Sequence, residues 1–536
     1  MSAAVISEGR AVLGIELGST RIKACLIGDN PNEVIAVGSY EWQNQLVDGV
    51  WTYDLAEVWA GLQGAYAALV ADAHSRHGVA PTSIAAVGVS AMMHGYLAFD
   101  DADELLVPFR TWRNTSTGQA AAELTELFGV NIPLRWSIAH LHQAVLSGEA
   151  HVERVRHITT LAGYVHERLT GERVLGIGDA SGVFPIDAAG ADYDAAMLAQ
   201  YDALVADTAL APALRELLPA ILPAGASAGA LTAEGAALLD LSGALQPGAV
   251  FCPPEGDAGT GMVATNAVAP GTGNVSAGTS IFAMVVLERP LERVHAELDV
   301  VATPAGHPVA MVHCNNGTSE LAAWVSVFRR FAELAGAPID ADEAYRLLLA
   351  EALDGAADAG GVLAYNQIAG EPIAHLSEGR PIVVRTPESD LTLANTMRAQ
   401  VYGVFATLSL GMRALHDEGV AIDRMQAHGG LFRTAGVAQR FLAAALDAPV
   451  GVAESAAEGG AWGIAVLAAF TAAGGGDLSS YLEREVFGGT DMNVVTPHPA
   501  DVAGFTTYLN SYESGLEIQR QAIDALPLTA LQGASS

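Results

Sequence analysis

Two short turns carry the residue types that can hold a phosphate. Gly18-Ser19-Thr20 follows an apolar stretch at residues 11–17, and Gly278-Thr279-Ser280 follows a similar stretch in the second half of the chain. A phosphate needs several N–H donors converging at close range. Glycine lets the backbone approach, and Ser and Thr hydroxyls add donors. Either turn alone is most simply a chain reversal; two at matching places point to a pair of phosphate clamps. Lys23 lies three residues past Thr20 and is the sole lysine in the chain, the other basic residues being Arg. That makes it a candidate phosphoryl contact. Glu16 sits inside the apolar stretch just before the first turn. A carboxylate there is costly unless paired or near a cation, and it could orient the waters of a Mg²⁺ ion beside phosphates. Asp257, in Glu255-Gly256-Asp257 directly after Pro253-Pro254, reads as a general base or as a turn residue. Gly429-Gly430 and Glu458-Gly459-Gly460 suit a nucleotide lying against a helix start, or plain turns.

These residues need elements to hold them. Alternation predicts strands at residues 11–17, 22–27 and 34–40, a hairpin pattern with its tip at Gly18-Ser19-Thr20. A helix is predicted near 55–76, a short buried strand at 87–90, and mostly helices over 120–171. After Pro253-Pro254 a second strand-rich start is predicted, running through 257–262, 273–280 and 281–287. Helices follow at 319–353 and 395–419, then a strand into the Gly429-Gly430 turn, a helix at 437–446 and a helical tail at 508–526. The repeated strand-and-turn motif gives two αβ halves, divided as residues 1–254 and 255–536. The apolar run near 461–473 is short of the roughly 20 residues that span a bilayer, and reads as a buried helix. His140 and His142, two apart on a predicted helix, point away from each other and read as surface residues.

Composition bounds the partners. The 536 residues are 51 % hydrophobic and 16 % charged, with a formal net charge of −34. That supplies a large core and excludes a mainly disordered chain. The acidic surface disfavours nucleic acid and anionic membrane as partners. Cys25, Cys252 and Cys314 are widely spaced, which argues against a disulfide scaffold and for a reduced, cytoplasmic setting. Competing motifs are incomplete. Gly271-Thr272-Gly273-Asn274-Val275-Ser276 lacks the third glycine of a dinucleotide loop, which disfavours a nicotinamide-dependent oxidoreductase. No G-x-x-x-x-G-K-[ST] is present, and Gly88-Val89-Ser90-Ala91-Met92 lacks the closing glycine of a nucleophile elbow.

Taken in order, the motifs resemble the FGGY carbohydrate kinases. The segment from Gly14 to Ala24 is similar to that family's first phosphate motif, with Glu16 where Asp is usual and Lys23 on the basic position. Met93-His94-Gly95 resembles the sugar-pocket segment of xylulokinases. Thr111-Trp112-Arg113-Asn114-Thr115 is similar to a Leu-Trp-x-Asp-x-Arg segment, with Asn114 in place of Asp. Gly178-Asp179-Ala180-Ser181-Gly182 resembles the segment before the hinge. Gly256-Asp257-Ala258 matches the segment of the catalytic base, Gly278-Thr279-Ser280 the second phosphate motif, and Gly429-Gly430-Leu431-Phe432-Arg433 the adenosine motif.

The resemblance implies an α/β, two-domain actin-like/ribonuclease H-like ATPase fold with an interdomain cleft. It implies ATP and Mg²⁺ in that cleft, held by Gly18, Ser19, Thr20, Lys23, Gly278, Thr279, Gly429, Gly430 and Arg433, with Glu16 reaching the metal through water. Asp257 is implied as base, and Met93, His94, Trp112, Arg113 and Asn114 as sugar contacts. A ketopentose, xylulose first, is the implied substrate; another ketose, a polyol or an aldonate stays open. A nucleotide-binding regulatory protein of the same fold is the alternative class. The resemblance also suggests a homodimer.

Overall fold

The computed structural model describes residues 2–187, 189–434, 436–452, 459–489 and 493–527. In the first sheet, β1 (Val12–Leu17), β2 (Arg21–Ile27) and β3 (Val34–Glu41) run antiparallel in sequence order. On the other side of β1 lies β4 (Ala86–Ala91), parallel to it, and both β5 (Val250–Phe251) and β6 (Glu255–Gly256) pair in parallel with β4. The second sheet repeats the plan. It contains β7 (Thr272–Ala277), β8 (Ile281–Val286), β9 (Leu298–Ala302), β10 (Pro308–Cys314), β11 (Arg424–His428), β12 (Val450–Val452) and β13 (Asn493–Val495), in spatial order β9-β10-β8-β7-β11-β12-β13. Here β7, β8 and β10 are the antiparallel run, and β11 is parallel to β7. In each sheet a phosphate-type turn therefore joins the first two strands.

Four helices pack against these sheets. One is α1 (Leu55–His77), whose start is capped by the Asp54 carboxylate accepting from the Ala56 amide at 2.8 Å and whose end is Gly78 at φ 73°. Asp supplies the missing acceptor at a helix start, and glycine takes the left-handed turn at its end at no steric cost. It packs on β3. The others are α2 (Asp257–Ala264), α3 (Leu393–Asp417) and α4 (Gly459–Ala472). The last is buried nearly all round, as its unbroken apolar run predicts. It lies against β1, β4 and α2. Gly14 faces it so closely that a Cβ there would overlap the Ala461 carbonyl oxygen.

Two expectations are corrected. Residues 257–262 form the helix α2, not a strand: two glycines and a threonine give poor helix propensity, but packing against α4 decides the outcome. The backbones approach until a Cβ on Gly463 would overlap the Thr260 carbonyl. Second, His140 and His142 are buried, at 0 % and 2 % exposure, and His140 stacks on Tyr96. The expected division after residue 254 falls between two strands that share the partner β4, and residues 255–264 and α4 pack with the first half's sheet.

Candidate active site

A cavity of about 1290 Å³ runs between the two sheets. Of the residues singled out by sequence, Glu16, Lys23, Met93, His94, Trp112, Arg113, Asn114 and Asp257 line it together. Gly18, Ser19, Thr20, Gly278, Thr279, Gly429 and Gly430 do not line it. Their chain neighbours Ser276, Ser280 and His428 do, as does Gly459, so the glycine turns stand at its rim. The Arg433 side chain and Glu458 lie outside the described residues.

Both turns are built to present amides. The Gly18 carbonyl accepts from Trp42 Nε1 at 2.7 Å and the Ser19 carbonyl from the Tyr53 hydroxyl at 2.6 Å. Trp42 and Tyr53 are themselves stacked, 4.2 Å apart. In a trans peptide the N–H points opposite to the C=O. Tying back these two carbonyls therefore turns the amides of Ser19 and Thr20 outward. The second turn uses the same device with other partners. The Gly278 carbonyl accepts from the amide of Thr318 at 2.8 Å, and the Thr279 carbonyl from the amide of Gly317 at 2.7 Å. The amides of Thr279 and Ser280 face the other way. At the adenosine motif, Gly429 has φ 113°, a conformation open to glycine, and lies against the Ala277 carbonyl.

Glu16 and Lys23 are direct partners in the β1–β2 ladder, with Nζ and Oε2 3.9 Å apart. The pairing offsets the cost of a carboxylate in this strand and leaves a donor and an acceptor side by side under the first turn.

Asp257 opens α2. Its Oδ1 accepts from the amides of Met93 and Ala258, each at 3.0 Å. Burial raises its pKa above the ordinary carboxylate range, against the opposing pull of these amides and of Arg135. The Met93 bond ties the carboxyl to the Met93-His94-Gly95 segment. His94 has φ 71°, a left-handed conformation that costs a non-glycine residue of order 1–3 kcal/mol. Its Nδ1 donates to the Gly182 carbonyl at 3.4 Å. Burial and the Arg135 charge hold its pKa well below the usual histidine range. The ring is then neutral, and Nε2 is a hydrogen-bond acceptor.

Also lining the cavity, the Arg113 guanidinium lies over the Trp51 ring, 3.8 Å from its centre, and Trp112 is 38 % exposed. Asn114 differs from expectation. Its Nδ2 donates to the carbonyls of Trp51 at 2.8 Å and Thr111 at 3.0 Å, and its Oδ1 accepts from the Trp51 amide at 2.9 Å. The amide braces the loop that carries Trp112 and Arg113, with both ends engaged.

Sequence reasoning misses several residues here. Arg135 lines the cavity from the first half and pairs with Asp299 of β9. Asn131 Nδ2 donates to the Leu298 carbonyl at 2.9 Å. These contacts bridge the two halves across the cleft, and no motif marks them. Behind Asp257 stand two more buried carboxyls, Asp179 and Glu255, each 1 % exposed. Glu255 accepts from the amides of Asp179 at 2.9 Å and Gly178 at 3.3 Å. Asp179 accepts from the Thr160 hydroxyl at 2.6 Å. Among the described residues no group of three or more His, Cys, Asp or Glu could hold a metal. A hard divalent ion would rest mainly on phosphates, with one or two carboxylates such as Glu16 and Asp257.

No helix of the described residues is long and apolar enough to cross a membrane. Comparison with known proteins bears on the assembled site. A Klebsiella pneumoniae xylulose kinase is 25 % identical over 303 residues, 53 % of this chain and 57 % of that protein, so the chain matches a little over half of this relative. The structure of xylulose kinase from Rhodospirillum rubrum superposes with a TM-score of 0.76 at 22 % identity, covering 95 % of this chain and 99 % of that one. Gluconate kinase from Lactobacillus acidophilus gives a TM-score of 0.76 at 19 % identity, covering 96 % and 98 %. These likenesses show the actin-like two-domain fold. The FGGY family of carbohydrate kinases matches through its N-terminal domain at residues 11–245 and its C-terminal domain at residues 273–472. With both domains present in order and the cleft residues assembled between them, the chain belongs to the FGGY family of carbohydrate kinases.

Proposed function

We propose that the chain transfers the γ-phosphoryl group of ATP to a hydroxyl of a sugar, a ketopentose such as xylulose first, with another ketose, a polyol or an aldonate as the neighbouring substrates. The observation that carries this reading is the bond between the Asp257 carboxyl and the Met93 amide, which fixes a candidate base against the sugar segment. Asp257 takes the proton of the acceptor hydroxyl as that oxygen attacks the γ-phosphorus in line. The bond to the β-phosphate oxygen breaks, and ADP leaves. A base whose pKa is raised by burial is better matched to neutral pH than a free carboxylate.

The amides of Ser19, Thr20 and Thr279, with the Lys23 ammonium, hold the phosphates; Gly18 and Gly278 let the backbone come close. Gly429, Gly430 and Arg433 hold the adenosine. His94, Trp112 and Arg113 contact the sugar, and Asn114 positions the last two. Glu16 is the carboxylate beside the first turn that would reach a phosphate-bound Mg²⁺, which when bound would neutralise phosphate charge. Most of the catalysis is positioning and charge stabilisation. The buried, widely spaced Cys25, Cys252 and Cys314 suit a reduced, cytoplasmic setting.

The test is ADP release over a panel of ketoses, polyols and aldonates, with and without Mg²⁺, for the wild type and Asp257→Asn. One acceptor clearly preferred, and a loss of about 10²-fold or more in kcat for the variant, is the expected result. Sugar-independent ATP binding with no turnover across the panel supports a regulatory protein instead.

A further inference from the structure

The cavity extends well past Asp257, and its far wall does not suit a bare sugar. The cavity of about 1290 Å³ takes the phosphates as well as the acceptor, so the lining past Asp257, not the volume, describes the acceptor end. Arg135 with Asp299, and Asn131 with the Leu298 carbonyl, join the two halves across it. The ladder of the second sheet aligns Asn274 with Met284 and Met284 with Met311, so the three side chains form one row facing the cavity. A hydroxyl placed against two thioethers would be left unpartnered, losing the water it gave up without a bond in return. Across from this row, α2 turns Ala258, Gly261 and Ala264 into the same space. A Cβ on Gly261 would meet nothing within 4 Å. A polar pair, Asn274 with Thr265, stands there. Asn274 is 1 % exposed; its Nδ2 donates to Thr265 Oγ1 at 3.2 Å, and its Oδ1 has no partner. Glu126 and Glu297 line the same cavity, Arg135 is already paired with Asp299, and the other cations of the lining are Lys23 beside the first turn and Arg113 on Trp51, so a charged substituent at the Asn274–Met284–Met311 row is disfavoured.

We propose that this chamber is an extension of the acceptor site, and that the acceptor is a neutral sugar or polyol carrying an apolar substituent that lies between α2 and the Asn274–Met284–Met311 row. The proposal rests on the kinase reading for the transfer itself, but not for the binding.

Matched acceptors test it: ketopentoses and pentitols against their mono-O-benzyl ethers, assayed by ADP release. In the wild type, at least one ether is expected to have a kcat/KM about 10-fold or more above its parent. Gly261→Leu fills the chamber and should lower that ratio about 10-fold, through KM for the ether. Met311→Ala should lower it too, and serves if the leucine variant does not fold. Calorimetric titration of the same ethers onto wild type and variants, with ADP present, reads the chamber without turnover. Ether binding that Gly261→Leu abolishes, with no acceptor phosphorylated, removes the kinase reading and keeps the chamber. A ratio at or below one for every pair, with ether binding absent or unchanged in the variants, overturns the proposal. So does an equal fall for parent and ether.

Discussion

Replacing Glu255 by Gln should make the protein relatively more stable as pH rises above 7. Glu255 and Asp179 are buried together beside Asp257, with hydrogen-bond donors but no cation bound to them. Burial raises the pKa of both. The neighbouring Asp179 charge adds to the effect on Glu255, and the Asp257 charge to that on Asp179. A carboxyl raised in this way keeps its proton in the native state after the unfolded chain has lost it. The native state is then fully stable below the ordinary carboxylate range, and loses stability as pH climbs through the native pKa. The loss is at most about 1.4 kcal/mol per pH unit for each such group.

Buried histidines work in the opposite sense. Burial lowers the pKa of His94, His140, His166 and His313, so stability rises with pH until the unfolded histidines have deprotonated, near about 6.5. Between pH 7 and 9 these histidines are neutral in both states. The buried Cys252 and Cys314 thiols, also raised by burial, change stability in the same direction as the carboxyls, but alike in wild type and variant, so the difference between the two isolates Glu255. The glutamine side chain of the variant cannot ionise. It keeps one acceptor for the two amides, which costs a fixed amount at every pH of about 1–3 kcal/mol. In a domain of 150–250 residues, 1 kcal/mol moves Tm by about 2–4 °C. The difference in Tm, Glu255→Gln minus wild type, should therefore climb by about 3–6 °C per pH unit while Glu255 titrates. Thermal melts followed by tryptophan fluorescence at fixed ionic strength read it directly. A difference flat to about 1 °C from pH 6 to 9 would mean that Glu255 is ionised throughout, held by the two amides, and the reasoning fails.

Other outcomes follow from single contacts. Lys23→Gln should raise KM for ATP about 10-fold or more, since a charge-assisted hydrogen bond contributes about 1.5–3 kcal/mol; an unchanged KM removes Lys23 from the phosphate site. As the sole lysine, it should also be the one side chain that an amine acylating reagent marks, with ATP slowing the reaction in a mass-spectrometric time course. Asn114→Asp sets a carboxylate oxygen against the carbonyls of Trp51 and Thr111. It should lower stability by about 1–3 kcal/mol and raise the acceptor KM; an Asp variant with normal Tm and KM refutes the bracing role. Gly14→Ala drives a methyl into the Ala461 carbonyl and should cost about 1–3 kcal/mol or more. Gly118→Ala, where a Cβ meets nothing within 4 Å, should stay within about 0.5 kcal/mol of wild type.

What sequence can show depends on distance along the chain. The hairpin around Gly18-Ser19-Thr20 is legible because strand alternation and turn chemistry are local, and Glu16 faces Lys23 as a direct consequence of that register. The helix at residues 459–472 is legible from its unbroken apolar run. The helix beginning at Asp257 is not, because its propensity is poor and its partner α4 lies some 200 residues away. The Met93–Asp257 bond and the Arg135–Asp299 pair each span 164 residues. No periodicity carries such a pairing, and the family motifs mark one end without the contact. Asn114 shows the limit of a motif match most clearly, since the position is right and the geometry assigns its amide to the backbone.

The two turns share a design and differ in what anchors them. The first is tied to Trp42 and Tyr53, and the second to Gly317 and Thr318 at the end of β10. Trp42 and Tyr53 belong to the same half as Trp51, on which Arg113 stacks. β10 carries Met311 and His313, which face the cavity from the other side. Each turn is therefore coupled through a few bonds to one wall of the acceptor space. A phosphate drawing the Ser19 and Thr20 amides toward those of Thr279 and Ser280 would bring both walls together on whatever acceptor lies between. On this geometry ATP and acceptor should bind cooperatively. Replacing Tyr53 by Phe, which frees the Ser19 carbonyl while leaving the ring stack, should weaken that cooperativity more than it weakens acceptor binding alone. Titration of the acceptor with and without a non-hydrolysable ATP analogue measures both, and equal coupling in the variant and the wild type would show that the anchor does not transmit it.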